Sequence, residues 1–439
     1  MSTLRKVPNS LEQHWMPFTA NRHFKANPRL IVAADGMYYT THKGDKVLDG
    51  SSGLFCVAAG HGRREIAEAV HEVLTELDYA PPFQYGHPIT FELSRRIAAL
   101  TPGDLNHVFY GNSGSEAVDS ALKIALAYHR ARGEGQRMRF VGRERAYHGV
   151  NFGGISVAGI LNNRKAFGLG LPGVVHMRHT HLPEHQFVAG QPETGAELAD
   201  DLQRFVELHG AEHIAACIVE PIAGSTGVLV PPKGYLQRLR EICDQHHILL
   251  IFDEVICAFG RTGQQFGADS FGVVPDMITM AKALTNGVVP MGAVAVRDKI
   301  YETITNAAPE TAIELFHGYT YSGCPVAAAA AVVTRDIFEK EQLVERAAAL
   351  APKFLEGLFA LRDIPVVTNI RGYGLLGGVD VAPMEAPGLR GTALTQQLYD
   401  AGLIVKMTGD CALLSPPLVS EESHLDEMFT KLRDVLKTH

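Results

Sequence analysis

Two segments of this 439-residue chain carry residue types suited to carbonyl chemistry. In PDMITMAKALTNG (275–287) an apolar run ends just before Lys282, and in LLIFDEVICAFGRTG (249–263) another ends at Asp253. An amine at the end of a buried strand loses hydration, which favours its neutral form and leaves a nucleophile able to form an imine with a carbonyl carbon. Asp253 stands 29 positions earlier, at the corresponding point of the preceding strand. A carboxylate there can pair with a protonated ring nitrogen and keep that ring electron-withdrawing. Each residue alone has an ordinary explanation, a snorkelling lysine or a locally paired aspartate. The pair, with a Gly-rich turn between them and Asp276 ahead of the second strand, points to Schiff-base chemistry.

The elements that must position these groups follow from hydrophobic patterning. HVFY (107–110), MRFV (138–141), AACIV (215–219), HILLIF (247–252), MITM (277–280) and GAVAV (292–296) read as strands, several of them continuously apolar as in strands covered on both faces. Helical patterns separate them, so βαβ units and a largely parallel sheet are expected. GNSGSE, ERAYHG, EPIAGS, DEVICAFGRTG and AKALTNG follow five of these runs. Open α/β sheets bind ligands at that edge, which predicts one shared crevice. In YGNSGSEAVDSALKIALAYH, Ser and Gly precede an amphipathic helix whose first N–H groups and dipole suit a phosphate.

A chain of this length exceeds what one core usually supports. Residues 28–58 read as short strands with turns at Asp35-Gly36 and Lys43-Gly44. Beyond residue 323 come a long Ala-rich helical stretch, GLLGGVDVA, a helix from about Thr392 to Ala401, GLIVKMTGD, and a terminal helix with Ser420 as its N-cap. The expected division is 1–60 and 324–439 as the two parts of a small domain, with 61–323 as a large cofactor-binding domain. HMRHTHLPEH (176–185) is expected at the surface, its irregular spacing unsuited to a metal, and GQPETGAELADD (190–201) is expected as a surface loop.

Composition narrows the function classes. The formal charge of −8 arises from scattered acids, and no basic run supplies a nucleic-acid footprint. Six dispersed cysteines without a CxxC pair fit reduced thiols. The N-terminus lacks the apolar core of a signal peptide and no run of ~18 apolar residues occurs, so a cytoplasmic protein without a membrane partner is expected. No GxGxxG follows a strand, which leaves nicotinamide binding unsupported.

The stretch from LLIFDEVICAFGRTG to DMITMAKALTNG, with GLFCVAAGHG, RAYHGVNFGG, IVEPIAGSTG, HGYTYSGCP and LSPPL, resembles the class III, or ω-, aminotransferases along essentially the whole chain. The nearest subgroup is the ω-amino acid:pyruvate (β-alanine:pyruvate) transaminases. The resemblance implies fold type I of the pyridoxal-phosphate enzymes: an α/β large domain with a mostly parallel sheet, and a smaller α+β domain from both termini. It further implies a homodimer with shared active sites, alone or paired as a tetramer. Pyridoxal 5'-phosphate would be joined to Lys282, its ring nitrogen on Asp253 and its phosphate on Ser113, Gly114 and Ser115. Tyr147 would stack on the ring beside His148, Val255 would lie on the opposite face, and Glu220 would be an acid near the cofactor. Thr320 would send its hydroxyl to the neighbouring subunit's phosphate. The implied reaction takes an amino group from a donor such as β-alanine to pyruvate. Amine, diamine or taurine transamination, and decarboxylation, racemisation or aminomutase chemistry on the same fold, are the alternatives.

One position departs from the family pattern. Lys406 in IVKMTGD stands where related sequences usually carry an arginine, keeping the charge but losing the bidentate fork. It either contacts a substrate carboxylate or points to solvent. Phe55 stands where relatives often have tryptophan, which would widen the pocket mouth, and Phe83 and Tyr85 are expected to add apolar lining.

Overall fold

The six apolar runs become members of one sheet. The computed structural model describes residues 6–168 and 170–439. Its strands are β1 (Ile31–Asp35), β2 (Tyr38–Thr41), β3 (Lys46–Asp49), β4 (His107–Gly111), β5 (Arg139–Arg143), β6 (Val175–Met177), β7 (Ile214–Val219) and β8 (Leu249–Asp253). They continue as β9 (Met277–Met280), β10 (Gly292–Val296), β11 (Val367–Tyr373), β12 (Leu376–Val381), β13 (Leu403–Ile404), β14 (Lys406–Thr408) and β15 (Cys411–Leu414). The large sheet has the order β4-β10-β9-β8-β7-β5-β6. Its strands run parallel from β6 to β9, while β10 is antiparallel to both β9 and β4. All strands but β10 therefore present their carboxyl ends along one edge.

Every residue of β7, β8, β9 and β10 is buried. Ile218, Ile251 and Val294 share a core with Ala117, Val118, Ala121 and Ile124 of the helix Gly114–Ala131. Val219, Leu250, Phe252 and Ile278 belong to a second core with Leu236 and Leu239 of the helix Tyr235–His246. Successive residues thus alternate between two apolar layers, and a slip of one position would exchange them. With each large side chain contributing roughly 1.5–3 kcal/mol on full burial, that alternation pins the register of the strands that carry Asp253 and Lys282.

The two ends of the chain meet in a four-stranded sheet, β1-β2-β3-β13, in which Leu403 and Ile404 pair in parallel with Leu48 and Asp49. The third sheet, β11-β12-β15-β14, is antiparallel throughout. The architecture is α/β with a mostly parallel sheet and a smaller α+β part drawn from both termini. No helix among the described residues is long and apolar enough to cross a membrane.

Several local expectations fail. HMRHTHLPEH is only partly at the surface: Arg178, Pro183 and Glu184 are exposed, but the segment enters through the edge strand β6, Met177 is fully buried, and His185 is buried with Nδ1 3.2 Å from the Thr180 carbonyl oxygen. Three residues are too few for a strand period to register. Residues 190–201 are not a plain loop either. They include the 3-10 helix Ala196–Ala199, anchored by buried Leu198 and Ala199, and reach the helix Asp200–His209. β11 was unforeseen because Asn369 and Arg371 are buried at its centre, where Arg371 pairs with Asp380 on β12. Ser420 does not cap the terminal helix, which is Glu422–Leu436 with Glu421 at the cap; its hydroxyl donates instead to the Pro417 carbonyl at 2.6 Å.

Candidate active site

The five polar segments meet at the shared carboxyl edge. Gly114 and Ser115 beyond β4, Tyr147, His148 and Gly149 beyond β5, and Glu220 beyond β7 line one cavity of about 120 Å³. Asp253, Val255, Ile256, Ala281 and Lys282, at or beyond the ends of β8 and β9, complete its lining.

At one end lies a helix terminus. Ser113 Oγ accepts from the Glu116 N–H at 3.2 Å, while Glu116 Oε2 accepts from the Asn112 N–H at 2.6 Å. Ser113 is thus the N-cap of the helix Gly114–Ala131, and its hydroxyl is engaged in that role. Among the described residues no protein acceptor takes the N–H groups of Gly114 or Ser115. Two free donors at the positive end of a helix form an anion site. Close packing shapes it: a Cβ on Gly114 would lie 3.1 Å from both Val255 methyls, and one on Gly149, at φ +90°, 2.5 Å from Ser115 Oγ. Ser115 Oγ accepts from the Val150 N–H at 3.1 Å, tying the two loops together.

At the other end is a fixed acid. Asp253 is buried, and its Oδ1 accepts from Thr279 Oγ1 at 3.1 Å and from the Val255 N–H at 3.2 Å. Its Oδ2 lies 2.8 Å from Nδ1 of His148, whose Nε2 is buried without a partner. Glu220 accepts from the N–H groups of Tyr147 at 2.9 Å and Gly224 at 3.0 Å. Burial pushes its carboxyl up to about 7. Burial also raises the Tyr147 phenol.

Lys282 opens the 3-10 turn Lys282–Thr285 with φ at 49°, in the left-handed region. Among the described residues no carboxylate lies within 4 Å of its amine and no acceptor binds it. Burial lowers its proton affinity; Asp253 and Glu220 act in the opposite direction, and the Lys406 ammonium lowers it further. The outcome is a desolvated primary amine facing a cavity. A flat, cationic heteroaromatic ring with an anionic tail and a carbonyl fits this set of groups: an acid for the ring nitrogen, a helix terminus for the tail and an amine for the carbonyl.

The family described as aminotransferase class-III matches residues 19–436. This chain belongs to the class III aminotransferases. It is 53% identical over 430 residues to the omega-aminotransferase of Caulobacter vibrioides, covering 98% of each chain. It is 50% identical to the beta-alanine–pyruvate aminotransferase of Pseudomonas aeruginosa, covering 97% of this chain and 96% of that one. A crystal structure of the omega transaminase from Pseudomonas jessenii in complex with PMP superposes with a TM-score of 0.91 at 32% identity, covering 97% of this chain and 96% of that one.

The remaining anticipated residues of this class III aminotransferase stand apart from the cavity lining. Phe55 is buried in the turn Ser52–Phe55 with φ at 65°. Phe83 and Tyr85 are 55% and 73% exposed. Thr320 is exposed, and its carbonyl accepts from the Tyr79 hydroxyl at 2.9 Å. Lys406 begins β14, its N–H donating to Ser51 Oγ at 2.8 Å. Its ammonium is half-buried, has no hydrogen-bond or carboxylate partner among the described residues, and is lowered by burial. Gly149, Ile256 and Ala281 line the cavity without having been singled out. Each adjoins an anticipated residue, and adjacency was the available signal.

Proposed function

We propose that this enzyme moves the amino group of an ω-amino acid such as β-alanine, or of a related primary amine, to pyruvate, with pyridoxal 5'-phosphate held in the cavity. The observation that carries the reading is the partnerless Lys282 amine in the same cavity as the buried, triply engaged Asp253. When bound, the cofactor supplies the electron sink that makes the substrate's C–H bond acidic.

The chain's own residues do the rest. Gly114 and Ser115 would offer their N–H groups to the phosphate, and Tyr147 and Val255 would hold the ring. Asp253 keeps its charge fixed at the ring nitrogen through Thr279, His148 and the Val255 N–H. Lys282 Nζ would hold the cofactor covalently, and its buried, partnerless amine would serve as the base that takes a proton from the substrate carbon and returns it. Glu220 holds the Tyr147 loop in register through its backbone N–H. Donor and acceptor use the site in turn, giving ping-pong kinetics.

The same reading makes the working unit a homodimer, alone or within a tetramer, with Thr320 serving the neighbouring subunit's phosphate. Ile313, Phe316 and Tyr321 expose large apolar side chains near Thr320 in the sequence, as a surface meant for a second copy does. The test supplies pyruvate with β-alanine, a longer ω-amino acid, a diamine or taurine in turn, and follows alanine. The ω-amino acids are expected to be the fastest donors. A diamine as sole productive donor would move the reading to polyamines, and no alanine from any donor would overturn it.

A further inference from the structure

Directly behind the cofactor lysine lies a buried cation with no acid to balance it. Arg335, on the helix Pro325–Lys340, is 5% exposed. Its guanidinium is clamped between the rings of Phe259 and Phe338, with 4.1 Å to each centroid. Among the described residues no carboxylate lies within 4 Å of it, and Nε and Nη1 find no acceptor. Its one hydrogen bond runs from Nη2 to the carbonyl of Ala283, at 2.8 Å. Burial lowers the guanidinium to about 9, so it is still cationic at neutral pH.

For folding alone this is a poor choice. An unpaired buried charge with two orphaned N–H donors costs stability, and an apolar side chain of similar length would fill the slot between two phenyl rings at less cost. A residue that breaks this rule calls for a functional reason. The carbonyl it holds supplies one. Ala283 follows Lys282, and the turn they begin is strained, with non-glycine residues at positive φ at Lys282 (49°) and Asn286 (52°). Such a turn persists only when its surroundings over-determine it. Its far end is tied by Asn286, which donates to the Gly60 carbonyl at 2.9 Å and accepts from the Ala59 N–H at 2.8 Å. At its near end Arg335 makes the one side-chain hydrogen bond among the described residues.

We infer that Arg335 is a positioning residue: stacked between Phe259 and Phe338, it grips the Ala283 carbonyl and thereby aims Lys282 into the cavity. The inference rests on Lys282 being the covalent anchor, and it explains why an unpaired buried cation is kept outside the lining of the cavity that Lys282 faces.

The test uses the holoenzyme and the cofactor-free protein, with Arg335→Met and Arg335→Lys. Methionine keeps the stacked length and removes the donors and the charge; lysine restores a donor. For Arg335→Met the thermal midpoint of the cofactor-free protein should be unchanged or higher. The pH midpoint of the holoenzyme's visible absorption band should be displaced, and kcat should fall about ten-fold, the scale of one charge-assisted hydrogen bond, with KM little changed. Arg335→Lys should recover most of both. Wild-type kcat and an unshifted band in Arg335→Met would overturn the inference. So would a kcat that falls in step with the thermal midpoint, or one that lysine does not restore, since each reduces Arg335 to packing. Borohydride reduction of the wild type with peptide mapping separates the two levels: a label away from Lys282 overturns the function proposed above, whereas a label on Lys282 with an indifferent Arg335→Met overturns only this positioning role.

Discussion

The residues that line the cavity, its floor, and the anticipated residues that stand outside that lining, called the rim, are built by different rules. On the floor, one chain supplies and satisfies both acids: Asp253 has three contacts, Glu220 accepts two backbone N–H groups, and both are buried. On the rim, Phe83, Tyr85 and Thr320 are exposed and Lys406 has no partner among the described residues. The floor's acids are held in place by the protein's own donors, as groups that stabilise developing charge must be. The rim is left to be completed by substrate and, on the reading above, by a second subunit. On the function proposed above, bond-making is invested in the sheet edge, and the choice of amine in side chains outside the cavity lining.

The largest expected effect tests the floor. Lys282→Ala should abolish turnover and the visible absorption of the lysine-bound cofactor near ~400 nm, read by spectrophotometry of the reconstituted protein. Retained turnover in that variant would remove the amine from the mechanism. A smaller effect, confined to one half-reaction, is expected on the rim. Lys406→Ala should weaken the pyruvate half-reaction about ten-fold or more, the worth of one charged hydrogen bond, and leave oxidation of a simple aliphatic amine nearly unchanged. Single-turnover rates of the two half-reactions measure this directly, and equal losses would erase the distinction between floor and rim. Such a result would remove the carboxylate-binding role from Lys406.

The smallest effect sharpens the floor's electrostatics. The Glu220 carboxyl titrates near 7 in the folded protein, above its ordinary value of 4.5. Between those values the unfolded chain has released the proton and the folded chain has kept it, so rising pH costs the folded state stability across that window and nothing further above it. Glutamine has no proton to lose. Glu220→Gln should therefore gain stability relative to the wild type between about pH 5 and about pH 8, read as denaturation midpoints of the cofactor-free protein. A difference that does not vary with pH would show that the carboxyl is ionised throughout.

Much of the floor was legible because its residues directly follow long apolar strands, where local pattern and chemistry coincide. Asp253 ends β8, Lys282 follows β9 by two positions, and Gly114 and Ser115 open an amphipathic helix. The rim was less legible because exposure depends on neighbours distant in the chain. Ser113 shows the limit of motif reading within the floor itself: it belongs to the expected turn, yet its hydroxyl caps the helix.

From its residues alone, then, this protein declared a lysine and an acid at neighbouring strand ends, a serine–glycine helix start and the parallel sheet that aligns them, because each is encoded within a short stretch. Tertiary structure decided what lies around those groups. It buried Met177 at the end of the short edge strand β6, gave Ser420 a partner other than the terminal helix, and joined Phe259, Ala283, Arg335 and Phe338 around one guanidinium. Burial and strain arise from contacts between segments far apart in the chain, which no local spacing encodes.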